Sequence, residues 1–524
     1  MGWPQDITAH TAASPQDRKR TRQGHEDPAA TRRPLAARGL LAAPLALMAA
    51  CATPGPMTER AALLAPTTLA AAETTPANAA RAPAPDWWRA LGDAQLDALM
   101  DEALSGAQDP LAAQARLRQA QALAGLAQAG QSPRVSVSAG WSAEHPASRA
   151  VPASQGGGQL TRQWRGTVGV DWTPDLWGGQ DAEWKAALGD VRAAELSAQE
   201  ARIQLSVALV QAYLQLAYAH VQGDIAQAEF DRVTDVRRLT LQRLDSGLAT
   251  QAQLRQTDSD LASASQQQLQ ARRQVVAAQH ALSTLAGQGP GRGERLARPA
   301  WPGSAASPWS AVPSPSARAE VPPVQSLPSL PLGLLDRRTD VLAARWRVEA
   351  AGARIHVARA AFQPQLNLGA LAGLAASRGG DLLRSGAGTY SASLGLTLPL
   401  LDGGRRRAGL ALQEAQYDEA VAHYNQTLIR AVNEVADQLQ AQRSLAEQLD
   451  QQQRAREAAD EAWQLAQQRY TAGVGSYLDA LSVRQQLLVA EQRLATLQSQ
   501  RLQDSLALVL ALGGGFQPAE PPQP

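Results

Sequence analysis

The chain has 524 residues, enough for several ordinary domains or one large repetitive one. Its 49 Lys and Arg against 48 Asp and Glu give a net charge of +1, so charge does not predict binding to nucleic acid or acidic polymers. A single cysteine excludes intramolecular disulfides and multi-cysteine metal sites, and 4% aromatic residues with abundant Ala, Leu, Gln and Arg favour long helices over a compact α/β enzyme.

A short apolar segment near the N-terminus predicts a lipoprotein signal. Residues 40–50 are apolar, follow several arginines and end in two alanines directly before Cys51. The segment is too short to span a bilayer, but this layout is typical of secretion signals. We expect residues 1–50 to be an N-terminal extension and signal peptide, Cys51 to be lipidated, and residues 51–85 to form a flexible tether. A buried free thiol is the alternative for Cys51.

From residue 86 the pattern predicts helices to about residue 131. Alternating apolar residues then indicate two strands, near 135–141 and 168–172, joined by a Gly-rich loop. Two long helices follow, with a break at Gly247: 181–245 and 250–285.

The same order of elements recurs after a Pro/Gly/Ser-rich linker, which indicates an internal duplication. Val207 and Val432 match at an offset of 225 residues, as do the PDLWGG and PLLDGG segments that begin at Pro174 and Pro399. The strand alternation differs by one residue between the copies. The expected divisions are a first repeat, a linker, a second repeat and a disordered tail: 86–287, 288–331, 332–513 and 514–524.

The long helices carry apolar residues in alternating steps of three and four, a seven-residue repeat that predicts left-handed supercoiled seams. Val207, Val210 and Leu214 are an example. The 65 residues of 181–245 correspond to roughly 98 Å of helix. Each repeat supplies two strands, and a four-stranded sheet in lipid would keep two open edges, which a bilayer does not tolerate. Closure therefore requires several chains, and a trimer would give twelve strands.

Tryptophans cluster around the first strand pair. Trp141, Trp164, Trp172 and Trp177 lie within it or just after it. Aromatic rings at the two interfaces of a membrane β-barrel would explain this clustering. Ordinary core packing under a hairpin is the alternative.

Four segments in a fixed order resemble the TolC-like outer-membrane efflux proteins, and within them the lipid-anchored outer-membrane factors of tripartite pumps. Each segment is weak evidence alone, but the order together with the duplication is specific, and the resemblance covers residues 86–513. The segments are DWWRALGDAQLDALMDEAL (86–104), PLGLLDRRTDVLAARWRVEAAGARIHVARAAFQPQLNL (331–368), TLPLLDGGRRRAG (397–409) and QRYTAGVGSYLDAL (468–481).

The resemblance implies a mainly α fold with a small β part, built from a duplicated helix–strand–strand–helix unit. It implies a homotrimer with a 12-stranded transmembrane β-barrel that continues into a long periplasmic α-helical coiled-coil barrel. The expected location is the Gram-negative outer membrane, in contact with its lipid. The expected partners are a periplasmic adaptor (membrane fusion) protein and an inner-membrane transporter of RND type, whose substrates the channel conducts passively to the exterior.

The resemblance also gives roles to the residues between strands and helices. Pro174 and Pro399 suit strand ends, where no ladder donor is needed. Asp402 is expected to cap the helix that follows it, while no equivalent cap is expected in the first repeat. The remaining strand-to-helix turn positions are Gly178, Gly179, Gly403 and Gly404.

Gly247 and Gly473 are expected to be hairpin turns at the far end from the strands, near a periplasmic gate. Leu478, Asp479 and Arg484 follow the second turn and are the gate candidates that the resemblance implies. A solvated helix carboxylate is the alternative for Asp479.

Catalytic and cofactor motifs are missing from the sequence. There is no phosphate-binding Gly-Lys-Ser/Thr, no Gly-x-Ser-x-Gly, and no clustering of the seven histidines or four methionines. We therefore expect no enzyme activity, no cofactor and no metal, with transport energy supplied by a partner. The alternative function is a lipid-anchored periplasmic coiled-coil adaptor or scaffold without a pore.

Overall fold

The computed structural model describes residues 61–65, 84–150, 152–155, 158–300 and 337–516. Contacts divide the chain into residues 1–53 and 54–524, and every described residue belongs to the second unit. Cys51 and most of the predicted tether and linker lie outside the described residues.

The first repeat begins with a 3₁₀ turn at Trp87–Leu91. Its helices and strands then follow in the predicted order: α1 (Ala94–Gly106), α2 (Gln108–Gly130), β1 (Arg134–Glu144), β2 (Thr161–Trp172), α3 (Gly179–Asp245) and α4 (Gln251–Leu285). The short helix α5 (Pro290–Glu294) lies in the stretch expected to be a linker, where the sequence pattern predicts no helix.

The second repeat has the same plan: α6 (Thr339–Ala360), β3 (Gln365–Ala376), β4 (Gly388–Thr397), α7 (Arg405–Thr471) and α8 (Tyr477–Ala511). The equivalent helices have equal lengths, since α3 and α7 contain 67 residues each and α4 and α8 contain 35 each. The described chain is mainly helical with a small sheet, as predicted.

The β2 strand starts earlier than the sequence pattern predicts. Residues 161–163 are Thr, Arg and Gln, so no apolar alternation marks them as a strand. They nevertheless pair with β1 in an unbroken register, with Thr161 opposite Glu144. Pairing with a neighbouring strand extends β2 where local hydrophobicity gives no signal.

The four strands form one antiparallel sheet in the order β1-β2-β3-β4. Trp141 lies opposite Trp164 in the first pair, Trp172 opposite Leu368 in the second, and Leu368 opposite Leu394 in the third. The central pair, β2 with β3, joins the two repeats in the sheet.

The largest buried cluster lies where α1 crosses α3. Leu96, Leu99 and Met100 of α1 are fully buried with Leu209 of α3 and neighbouring side chains. A polar contact fixes the same crossing, because Tyr213 donates a 2.8 Å hydrogen bond to Asp93, the residue that caps α1. Burial and the Asp93 carboxylate raise the pKa of Tyr213, so its hydroxyl remains a donor at physiological pH.

Asn425 is a polar residue between the buried Val421 and Leu428 of α7, and its side chain bonds to another segment of the chain. Its side-chain oxygen accepts a 2.8 Å hydrogen bond from the Leu64 N–H, and its amide nitrogen donates a 3.1 Å bond to the Ala62 carbonyl. Asp418, two turns earlier, accepts from the Ala61 N–H at 3.0 Å. Residues 61–65, within the stretch expected to be a tether, therefore lie along α7.

The substitution Asn425→Ala is expected to release residues 61–65 from α7, because it removes both backbone hydrogen bonds at once. Amide hydrogen exchange at Leu64 should accelerate by about tenfold, in line with 0.5–1.5 kcal/mol for each bond. Asn433→Ala is the matched control, since Asn433 is exposed and bonds within its own helix, to Ile429. Equal exchange at Leu64 in both variants would contradict this role for Asn425.

The two repeats meet at a glycine-rich segment after α8. Gly513, Gly514 and Gly515 all have positive φ, at 94°, 59° and 85°. A Cβ atom on Gly514 would overlap the Ile203 side chain of α3, and one on Gly513 would lie 2.6 Å from the Arg337 carbonyl oxygen. Only glycine fits these two positions without displacing Arg337 of the same repeat or Ile203 of the first repeat.

Gly514→Ala is expected to destabilise the protein by about 1–3 kcal/mol, through overlap with Ile203 and strain at positive φ. The measurement is denaturant unfolding of the purified protein, followed by helical circular dichroism. Gly409→Ala in α7 is the control, because no atom lies within 4 Å of its Cβ position. The control should be neutral or slightly stabilising, and an equally stable Gly514 variant would show that the close packing is not required.

Candidate functional site

The sheet has one continuous apolar face. Paired apolar residues from all four strands point to this side, and many are exposed: Val137 by 79%, Leu394 by 73% and Tyr390 by 90%. An exposed apolar face on every strand is unsuitable for water and suitable for lipid. Other members of the face are Val135, Trp141, Trp164, Val168, Trp172, Leu366, Leu368, Leu374 and Leu396.

The opposite face of the sheet carries mostly small or polar residues. Ser138 and Thr167 face each other there, with 2.7 Å between their hydroxyl oxygens. This alternation of apolar and small polar side chains is the pattern of a membrane strand that separates lipid from water. Further members of the small face are Ser136, Gly169, Gly369, Gly373, Ser391, Ser393, Gly395 and Thr397.

The predicted interfacial tryptophans lie at the two ends of the strands. At the loop end, the rings of Trp141 and Trp164 are 6.3 Å apart. At the helix end, Trp172 donates to the Gln131 carbonyl at 3.0 Å and Trp177 to the Pro364 carbonyl at 2.6 Å. Trp164 and Trp172 are eight residues apart, roughly 26 Å along the strand, close to the height of an apolar barrel band before strand tilt.

The strand-to-helix turn of the second repeat is closed by Asp402. Its carboxylate accepts 3.1 Å hydrogen bonds from the N–H groups of Gly404 and Arg406, and pairs with the Arg406 side chain at 2.7 Å. These bonds lower the pKa of Asp402. Gly403 and Gly404 adopt positive φ, and Pro399 precedes the turn, after the last residue of β4.

The first repeat also has a cap at this turn, so the expectation that none would be present is wrong. Asp175, directly after Pro174, accepts from the N–H groups of Gly179 and Asp181 at 2.9 and 2.8 Å. Gly178 supplies the positive φ. At the offset of 225 residues Asp402 corresponds to Trp177, whereas the capping carboxylate of the first repeat is Asp175, two residues closer to β2.

The helical hairpins turn at Gly247 and Gly473, with positive φ of 72° and 74°. After each turn the next helix starts with a reciprocal cap: Thr250 with Gln253 in α4, and Ser476 with Asp479 in α8. Asp479 is exposed and its carboxylate accepts from the Ser476 N–H at 3.3 Å. Asp479 therefore holds the start of α8, a role that differs from a purely solvated carboxylate.

The two hairpins touch each other near these turns, through residues that the sequence did not reveal. Tyr477 of α8 donates a 3.3 Å hydrogen bond to Asp235 of α3, and Arg232 of α3 donates to the Leu481 carbonyl at 3.4 Å. Glu229 holds Arg232 in place with two 2.7 Å bonds. Burial and Asp235 raise the pKa of Tyr477, so its hydroxyl keeps its proton.

The other gate candidates lie on the same helix. Leu478 is half-buried in the first turn of α8. The Arg484 guanidinium lies 5.8 Å from the centre of the Trp463 ring and 3.9 Å from Glu491. Arg484 therefore contacts α7 and α8 of its own hairpin, whereas Tyr477 connects to the other hairpin.

The described part of the chain contains no cluster of His, Cys, Asp and Glu placed to hold a metal ion. Among the same residues, every helix is too short or too polar to cross a bilayer.

The sequence profile of the outer membrane efflux protein family matches residues 99–288 and 330–514. The chain belongs to this family. Among its relatives, the pyoverdine export outer membrane protein OpmQ of Pseudomonas putida is 32% identical over 85% of this chain and 91% of its own length. The fusaric acid resistance protein FusA of Burkholderia cepacia is 33% identical over 64% of this chain, and the match spans 60% of FusA.

A solved structure has the same fold. The outer membrane protein VceC of Vibrio cholerae aligns over 83% of this chain and all of its own chain, with 31% identity and a TM-score of 0.72. The protein is thus an outer-membrane efflux channel that extends into the periplasm, in a family of transport channels that work with adaptor and inner-membrane pump partners. This family favours the channel over the pore-free adaptor or scaffold.

Proposed function

We propose that three copies of the chain close into a 12-stranded β-barrel, which continues into an α-helical barrel. The observation that carries this proposal is the sheet, which is apolar on one face, small and polar on the other, and ends in β1 and β4 without a further partner among the described strands. An open edge in lipid leaves backbone groups unsatisfied, so β4 of one copy pairs with β1 of the next.

The helices suit a duct through the periplasm. With 67 residues each, α3 and α7 are about 100 Å long. The shorter helix of each hairpin packs beside them, α4 on α3 and α8 on α7. We propose that conduction through this duct is passive. The inner barrel face is small and mostly uncharged, so selection of cargo falls to the inner-membrane transporter, which we propose to be of RND type, and its periplasmic adaptor.

The hairpin ends are the proposed gate and docking region. Closure depends on α3 and α8 staying together through Tyr477–Asp235 and Arg232–Leu481. Leu478 and Asp479 begin α8 at this end, and Arg484 braces α8 against Trp463. Movement of one hairpin away from the other would widen the lower aperture.

Lipidation of Cys51 is compatible with the position of residues 61–65. Cys51 is ten positions before Ala61, enough chain to reach about 33–36 Å when extended. Ala61 bonds to Asp418, which lies 13 residues, or about 20 Å, below the start of α7. We propose that a lipid on Cys51 anchors the chain in the outer membrane.

Disulfide trapping between the free edges tests the trimer. Ser393→Cys on β4 is combined in turn with Ser136→Cys, Ser138→Cys or Ser142→Cys on β1, in full-length protein in outer membranes. One combination should give a closed covalent trimer on a denaturing gel, while Ser393→Cys alone controls for reaction with Cys51. Covalent oligomers of more than three chains, or only monomers in every combination, would refute the closed trimer.

A further inference from the structure

The apolar face of the sheet contains a cleft at its loop end. The cleft has a volume of about 590 Å³, and its walls are the rings of Trp141 and Trp164 on one side and the β3–β4 connection on the other. The Cβ position of Gly379 in that connection is 3.5 Å from the Trp164 ring. The apolar lining is completed by Leu374, Leu382 and Leu383.

Unpaired positive charge lies next to this apolar cleft. Arg162 is two residues before Trp164, so it points to the same face, roughly 7 Å further toward the loops. Its partner position in β1 is Ala143, and Arg162 has no ion pair with another described residue. Arg378, beside Gly379, is likewise exposed and makes no ion pair within the described ranges.

The neighbouring acidic groups do not neutralise these two arginines. Asp381 pairs with Arg384 at 3.0 Å. Glu144, the last residue of β1, lies on the small polar face of the sheet, whereas Arg162 lies on the apolar face. The rim of the cleft therefore carries two exposed arginines without described ion pairs: Arg162 is two residues from Trp164 of the cleft wall, and Arg378 is next to Gly379.

We propose that this cleft binds the lipopolysaccharide of the outer leaflet, with Arg162 and Arg378 on its phosphates and an acyl chain between the tryptophans and Leu383. The proposal rests on the barrel described above, in which the apolar face meets lipid. Because the helices extend into the periplasm, the loop end lies at the outer leaflet. Arginine pairs with phosphate oxygens in a bidentate way, and tryptophan suits the boundary between acyl chains and head groups.

The charge and the cleft together favour this occupant over an ordinary phospholipid. Two separate guanidinium groups match a lipid that carries two phosphates on one rigid sugar head group. A phospholipid such as phosphatidylglycerol presents a single phosphate, so it brings one anionic group to the two arginines where the bisphosphorylated lipid brings two.

Native mass spectrometry of the full-length trimer in detergent tests the inference. The probes are lipid A with both phosphates, the same lipid after dephosphorylation, and phosphatidylglycerol. Wild-type protein should retain bisphosphorylated lipid A at least about fivefold more than either other lipid, as expected for charge-assisted contacts. Arg162→Ala and Leu383→Ser should each lose most of that preference.

Arg430→Ala is the matched control, because Arg430 is an exposed arginine on α7, far from the sheet, and it should bind lipid A as the wild type does. Equal lipid A binding by the Arg162 and Arg430 variants would overturn the site, and equal binding of phosphatidylglycerol would overturn its assignment to lipopolysaccharide. Planar-bilayer recordings of the same wild-type sample separate the two proposals. A sample that conducts but shows no lipid A preference refutes only the lipid site, and a sample that does not conduct refutes the channel.

Discussion

The substitution Ala392→Arg is expected to prevent the protein from assembling in the outer membrane. Ala392 lies in the middle of β4, opposite Ala370, on the apolar face. An arginine facing lipid at mid-bilayer costs about 2–4 kcal/mol, and a trimer would carry that cost three times. The measurement is the amount of heat-labile trimer in the outer-membrane fraction, which should fall to background.

Ser391→Arg is the control for this substitution, since it adds the same side chain one residue earlier. Ser391 lies opposite Leu371 and faces the other side of the sheet, toward the proposed lumen. Trimers should form at wild-type levels, with a changed ion selectivity because a ring of arginines now lines the pore. Equal assembly of the two variants would show that the apolar face does not meet lipid.

Loss of the contacts between hairpins is expected to open the lower end of the channel. The double variant Tyr477→Phe with Arg232→Ala removes the hydroxyl bond to Asp235 and the guanidinium bond to the Leu481 carbonyl. Under the proposed gate, loss of both bonds is expected to cost the closed arrangement about 2–4 kcal/mol per subunit. Single-channel conductance in planar bilayers should rise several-fold, while trimer assembly remains unchanged.

Tyr218→Phe provides a control on the same pair of helices. Tyr218 of α3 bonds to Thr496 of α8 at 3.0 Å, but it lies 27 residues, or about 40 Å, before the end of α3. The single-channel conductance of the Tyr218→Phe variant should match that of the wild type. If both variants conduct equally, the contacts near Gly247 and Gly473 do not hold the aperture closed.

Much of the fold could be predicted because its determinants are local and repeated. The seam residues Val207 and Leu214 are buried as their spacing indicates, and the equal helix lengths of the two repeats reflect the duplicated pattern. Alternating apolar residues predict the strands, except for the first residues of β2. Those residues adopt a strand because β1 pairs with them, which no local signal reports.

The site was less predictable, since its contacts join distant parts of the chain. Tyr477 and Asp235 are 242 residues apart and belong to no motif, so only the packing of α8 on α3 brings them together. The resemblance implies a gate position for Asp479, but its contact with the Ser476 N–H depends on how α8 starts. Asn425 bonds to Leu64 and Ala62, more than 360 residues away, so no local pattern predicts its partners.

Single-channel recording of the purified wild-type trimer shows whether the protein forms an open path across a membrane. The sample contains symmetrical salt and neither nucleotide nor partner protein, because the sheet and helices form the conducting path by themselves. We expect discrete current steps that grow with voltage, and larger steps for the double variant at Tyr477 and Arg232. Trimers that give no current in either form would contradict the channel.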